Sequence, residues 1–133
     1  MTKDEIFEKV KSLLVDALSV DDDQVTLAAR LQADLDAESI DMLDIVFRLE
    51  REFGLGKIDR NELFPESIFQ GDPDFVADGK ITPKGLQELR DKLPFADPAA
   101  LTAFEKNPTL EKIGDLFTVD LIVRFVQNKL KAA

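Results

Sequence analysis

The chain has 133 residues, enough to bury one hydrophobic core without a metal or a disulfide. Its 27 acids against 17 bases give a net charge of −10, which disfavours nucleic acid and anionic membranes, since both need a positive footprint. The absence of Cys and His excludes disulfides, thiolate or histidine metal sites, a cysteine nucleophile and a Ser–His pair.

The opening MTKDEIFEKV lacks an apolar signal core, and no apolar run reaches membrane-spanning length. A soluble cytoplasmic protein without stable membrane insertion is expected. Helical spacing then predicts a first helix over about Lys3 to Ser19, with Thr2 and Glu5 as a capping box. Its apolar stripe runs through Ile6, Val10, Leu13, Leu14, Ala17 and Leu18. An acidic turn, Asp21 to Asp23, opens a loop in which Val25, Leu27 and Leu31 are expected to pin the chain to the core.

A second helix is predicted from about Ser39 to Phe53, stopped by Gly54 as a left-handed cap. Ile40, Leu43, Val46, Phe47, Leu49 and Phe53 form its apolar stripe, with Glu50 the one polar interruption. Leu55 to Phe117 is broken and rich in Pro and Gly. Short helices are expected at Pro83–Leu93 and Pro98–Lys106, each with Pro in its first turn behind Thr82 or Asp97. Thr109–Ile113 reads as a turn, and Phe64, Phe69 and Phe75 as anchors of a loop. A last helix from about Thr118 to Leu130 is apolar on most sides, so it should be buried. No strong period-two alternation occurs, and no strand is predicted. The fold class is all-α, an irregular antiparallel bundle.

Two stretches invite chemistry. In GDPDFVADGKIT, Asp74, Asp78 and Gly79 partly fit a calcium loop, but the third and twelfth positions fall on Val76 and Gly85 and Pro83 lies inside it. A turn built on Asp and Gly is the better reading. The stretch LQADLDAESIDMLDIVFRLEREFG, Leu31 to Gly54, is more informative. Ser39 stands where an acidic loop meets an amphipathic helix, ringed by Asp34, Asp36, Glu38, Asp41 and Asp44. Acids there also offset the positive end of the helix dipole. Nothing resembles a nucleophile elbow, so the serine reads as a helix cap or as a tethering point.

That stretch resembles the modification site of acyl carrier proteins: Asp34, Leu35, Glu38, Ser39, Ile40 and Asp41 fit the family's pattern. Leu43, Asp44, Ile45, Val46, Leu49, Glu50, Glu52 and Phe53 continue its helix in register. TVDLIVRFV, Thr118 to Val126, is similar to the family's last helix. Two departures stand out. Asp36 replaces a usual Gly, and Asp tolerates the unusual backbone angle a Gly would suit. An insertion at about 55–117 replaces a short link, as in enlarged, specialised bacterial carriers.

The resemblance implies a non-enzymatic, monomeric carrier domain spanning residues 1–133, with an acyl-carrier-like helical bundle. It implies 4′-phosphopantetheine attached to Ser39 by a phosphopantetheinyl transferase, with acyl groups carried as thioesters. It also implies partner enzymes with basic docking patches, acting in fatty acid, lipid or related biosynthesis. Asp34, Glu38, Asp41 and Asp44 would be the docking charges; local pairs such as Asp44 with Arg48 are the alternative. Arg48 and Arg51 interrupt the acidic face and would restrict partners. Ile40, Leu43, Val46 and Phe47 would line an acyl slot facing the last helix, or else be plain core. Phe64, Phe69, Phe75, Phe95 and Phe104 of the insertion would enlarge such a slot or cover the bundle. An unmodified protein-interaction module on the same scaffold is the competing function.

Overall fold

The structure is a computed structural model. It describes residues 2–64, 68 and 70–132, with the backbone alone at 39, 60 and 132. Helix α1 spans Lys3–Leu18. The Thr2 hydroxyl accepts the Glu5 N–H and the Glu5 carboxylate accepts the Thr2 N–H, each at 3.2 Å. This reciprocal cap satisfies two donors that a helix start leaves orphaned. Ile6, Val10, Leu13 and Leu14 bury its apolar face, and Ser19 ends it in the left-handed region at φ 55°.

A 3₁₀ turn at Asp22–Gln24 follows. The loop beyond it is stitched to the far end of the chain. The Leu31 N–H donates to the Phe117 carbonyl and the Val119 N–H to the Ala29 carbonyl, each at 3.0 Å. Val25, Ala29, Leu31, Leu35 and Ala37 are buried, whereas Leu27 lies at the surface, against the expectation that it pins the loop. Helix α2 spans Ser39–Phe53 and stops at Gly54, φ 61°, as the sequence predicts.

The segment after α2 is tied back at once. Glu50, the polar interruption in the apolar stripe, accepts the Ile58 N–H at 3.2 Å. A 3₁₀ turn covers Arg60–Glu62. Strands β1, Val76–Ala77, and β2, Lys80–Ile81, form a hairpin, which corrects the expectation of no strands. Its turn residues, Asp78 at φ 54° and Gly79 at φ 75°, are both left-handed, which matches the right-handed twist of a two-residue hairpin. Two-residue strands are too short to show alternation in sequence.

Helix α3, Pro83–Lys92, is capped by the Thr82 hydroxyl, and α4, Pro98–Glu105, by the Asp97 carboxylate. Gly85 is required by packing: a Cβ there would lie 2.5 Å from the Phe75 carbonyl oxygen. A 3₁₀ turn at Ile113–Leu116 leads to α5, Val119–Ala132. Thr118 caps α5, accepting the Leu121 N–H at 3.3 Å.

Helices α1, α2 and α5 pack together, and the segment between α2 and α5 adds Ile58, Leu63, Phe64, Leu89, Leu93 and Phe104 to the same cluster. Phe64 meets Phe117 at 5.7 Å between ring centroids, and Phe95 meets Phe125 edge-on at 5.3 Å. These phenylalanines act as covering and packing groups. Phe69 lies outside the described residues. Among the described residues no polar or charged side chain is buried. The fold is therefore all-α apart from one small hairpin.

Candidate functional site

The loop before α2 is tied down by a set of hydrogen bonds. Arg30 is its anchor. Its Nε donates to Asp34 at 3.1 Å, its backbone N–H donates to the same carboxylate at 2.7 Å, and its Nη1 donates to Asp115 at 3.2 Å. The Arg30 guanidinium, and then its backbone N–H, hold the Asp34 carboxyl below the usual carboxylate range. Asp34 is thus first a structural acid that folds the loop. Further on, the Ala37 N–H donates to the Leu31 carbonyl at 2.9 Å. Asp36 sits between these bonds at φ 58°, in the left-handed region that its sequence position calls for.

The cap of α2 is Glu38, with an extended backbone. Its N–H donates to the Asp41 carboxylate at 2.8 Å. Ser39 is therefore the first helical residue, and the alternative reading of Ser39 as the cap does not hold. The side chain of Ser39 lies outside the described residues. Its neighbours Glu38 and Ile40 are exposed.

Helix α2 has two apolar faces, where the sequence suggested one. Met42, Ile45, Val46 and Leu49 point into the core. Ile40, Leu43 and Phe47 point outward, at 74%, 37% and 51% exposure. At 3.6 residues per turn, positions 40, 43 and 47 fall on one stripe, displaced from the buried one. Only Val46 of the four residues assigned to an acyl slot faces the interior, at 1% exposure. The expectation that all four line one slot facing the last helix is corrected: the other three form a surface strip.

The acids flank that strip unevenly. Glu38 and Asp41 lie at its start. Asp44 accepts from Arg48 Nε at 2.9 Å, the local pair anticipated from the i, i+4 spacing. Arg51 is exposed one turn further on. The first half of α2 is therefore acidic, and in its second half Arg48 and Arg51 balance Glu50 and Glu52.

The arrangement offers a first-turn position flanked by exposed residues on a hydrogen-bonded loop, an acidic collar and an apolar strip. A first-turn position suits an attached phosphate, because free backbone N–H groups and the helix dipole favour negative charge there. Arg30 and the outward strip escaped the sequence reading. The Arg30–Asp34 spacing was visible, but the contact to Asp115 spans 85 residues. The strip was legible only by separating residues 40, 43 and 47 from residues 42, 45, 46 and 49.

The aspartates of the GDPDFVADG stretch serve turns. Asp72 accepts the Asp74 N–H at 2.9 Å, and Asp78 forms the hairpin turn. Among the described residues no three acids are grouped so that they could hold a metal ion. None of the described helices is long and apolar enough to cross a membrane.

Comparisons with known proteins converge on the same region. Residues 8–66 match a family model described as a phosphopantetheine attachment site. Over 55 residues the chain is 56% identical to an acyl carrier protein of Petrotoga mobilis, covering 41% of this chain and 65% of that protein. Over 62 residues it is 47% identical to an acyl carrier protein of Thermotoga maritima, covering 47% of this chain and 75% of that one. An acyl carrier protein of Lactobacillus acidophilus is 44% identical over 54 residues, 41% of this chain and 68% of its own length. More than half of the chain lies outside each of these alignments.

Proposed function

The chain belongs to the acyl carrier protein family, whose members are carriers rather than enzymes and bear 4′-phosphopantetheine, and on that premise we propose that Ser39 is the attachment point of the arm. The whole of residues 1–133 acts as one carrier unit, with 55–117 as an insertion. The observation that carries this reading is the position of Ser39. It opens α2 beside an exposed cap residue, inside the matched region, and capping is done by Glu38 with Asp41.

When attached, the arm supplies a terminal thiol on which acyl groups ride as thioesters. The chain itself has no Cys to do so. Its own residues position and present. Arg30 and Asp34 fix the loop, Glu38 and Asp41 shape the helix start, and Ile40, Leu43 and Phe47 give partners an apolar strip to cover. A phosphopantetheinyl transferase and acyl-processing synthases or acyltransferases with basic patches are the partners that fit, since the collar around the strip is negative. Asp34, Glu38, Asp41 and Asp44 contribute to that field. Asp34 and Asp44 contribute less than Glu38 and Asp41, because Arg30 and Arg48 offset them. A cytoplasmic monomer serving fatty acid or related lipid biosynthesis fits this reading.

Incubation of the apo protein with coenzyme A and a broadly acting phosphopantetheinyl transferase tests it. Intact mass should rise by a single phosphopantetheine in the wild type and stay unchanged in Ser39→Ala. An unmodified wild type would instead favour a non-covalent interaction module.

A further inference from the structure

A groove of about 370 Å³ lies between the loop after α1, the start of α4 and the start of α5. We infer that this groove, built largely by the insertion, holds the acyl chain of the loaded carrier. The inference rests on the attachment reading above.

The lining is the first argument. Leu93, Leu101, Leu116 and Leu121 line it as buried side chains, its floor, and Leu27 and Ala100 line it as exposed ones. Leu27 is among the few large apolar side chains left at the surface. Three acids also border the groove, but each is engaged elsewhere. Asp97 caps α4 by accepting the Ala99 N–H at 3.1 Å. Asp115 accepts from Arg30 at 3.2 Å. Asp120 accepts from Arg124 at 2.8 Å and pairs with Lys3 at 3.2 Å. The polar groups are thus held by partners of their own, and the floor is left for an uncharged, apolar occupant.

Continuity with the attachment loop is the second argument. The Leu31 N–H donates to the Phe117 carbonyl, and Arg30 bridges to Thr118, which itself lines the groove. Ala37 is bonded to Leu31, and Ser39 follows two residues later, within about 7 Å of chain. The tether and the groove edge belong to one hydrogen-bonded unit. Capacity is the third argument. At about 370 Å³ the groove lies within the range, about 300–1,000 Å³, of sites that hold small organic ligands. A medium-length acyl chain is the occupant that this size, lining and placement fit.

The test loads the full chain through a transferase, using coenzyme A acylated with a dodecanoyl chain that ends in a trifluoromethyl group. Intact mass is read first. A wild type that takes no load defeats the attachment reading and leaves the groove without an attached chain to hold. On loaded protein, fluorine NMR should show the terminal resonance shifted from that of the same acyl pantetheine in water. Ala100→Trp fills the groove from an exposed helix position and should return the shift to the aqueous value. Leu27→Asn, at the other exposed lining residue, should reduce it, with the thermal midpoints of both apo variants unchanged. An aqueous shift in the wild type overturns the inference. So does a shift that neither variant alters, which places the chain elsewhere in the bundle. A shift that grows with protein concentration alongside dimer formation also overturns it, since a second copy is then the occupant.

Discussion

At the scale of single residues, the attachment loop depends on two side chains doing backbone work. Asp36 holds φ 58°, where an ordinary L-residue pays about 1–2 kcal/mol and Gly pays little. Asp36→Ala should lower stability by about 1 kcal/mol and Asp36→Gly should leave it nearly unchanged, both read from denaturant midpoints. Asp34 gives a pH signature. Its carboxyl is depressed by the Arg30 side chain and then by the Arg30 N–H. A depressed carboxyl makes the folded state bind fewer protons than the unfolded one, so its contribution is present above the ordinary carboxylate value and lost in acid. The wild type should melt above Asp34→Asn at neutral pH, and the gap should close as pH falls through the carboxylate range. The strain at Asp36 was legible because the residue stands where the family pattern has Gly. The anchoring by Arg30 was not, because Asp115 is distant in sequence and only the folded loop brings it close.

At the scale of elements, α2 is the informative helix, because one of its apolar faces is buried and the other exposed. Leu49 is fully buried and Phe47 is half exposed. Leu49→Ala should cost about 2–5 kcal/mol in a denaturation experiment. Phe47→Ser should cost within about 0.5 kcal/mol yet lower kcat/KM for transferase loading severalfold, if the outward strip is the docking surface. Helix starts and stops were the most legible features. Gly54 ends α2, and Thr82 and Asp97 start α3 and α4, each through a local bond that the residue type announces. The assignment of apolar side chains to faces was less legible. Periodicity marks an apolar helix, but it does not say which of two overlapping stripes the rest of the chain will cover.

At the scale of the molecule, the segment between α2 and α5 is not an appendage, since its Phe64, Leu89, Leu93 and Phe104 share one cluster with α1, α2 and α5. Composition showed ten Phe and no other aromatic residue, but not where they pack, because pairs such as Phe95 with Phe125 depend on the tertiary fold. The net charge of −10 acts at long range. Raising ionic strength from 0.01 M to 0.15 M shortens the screening length from about 30 Å to about 8 Å. Loading by a transferase with a basic face should therefore slow by about tenfold over that range, with the change in kcat/KM.

The central claim, that one serine bears the arm, is tested most directly by locating the modification. Trypsin cleavage after Arg30 and Arg48 releases a peptide in which Ser39 is the only hydroxyl side chain. Tandem mass spectrometry of the loaded wild type should find the phosphopantetheine there. A phosphopantetheine on any other peptide, or none after exhaustive loading, would contradict the account.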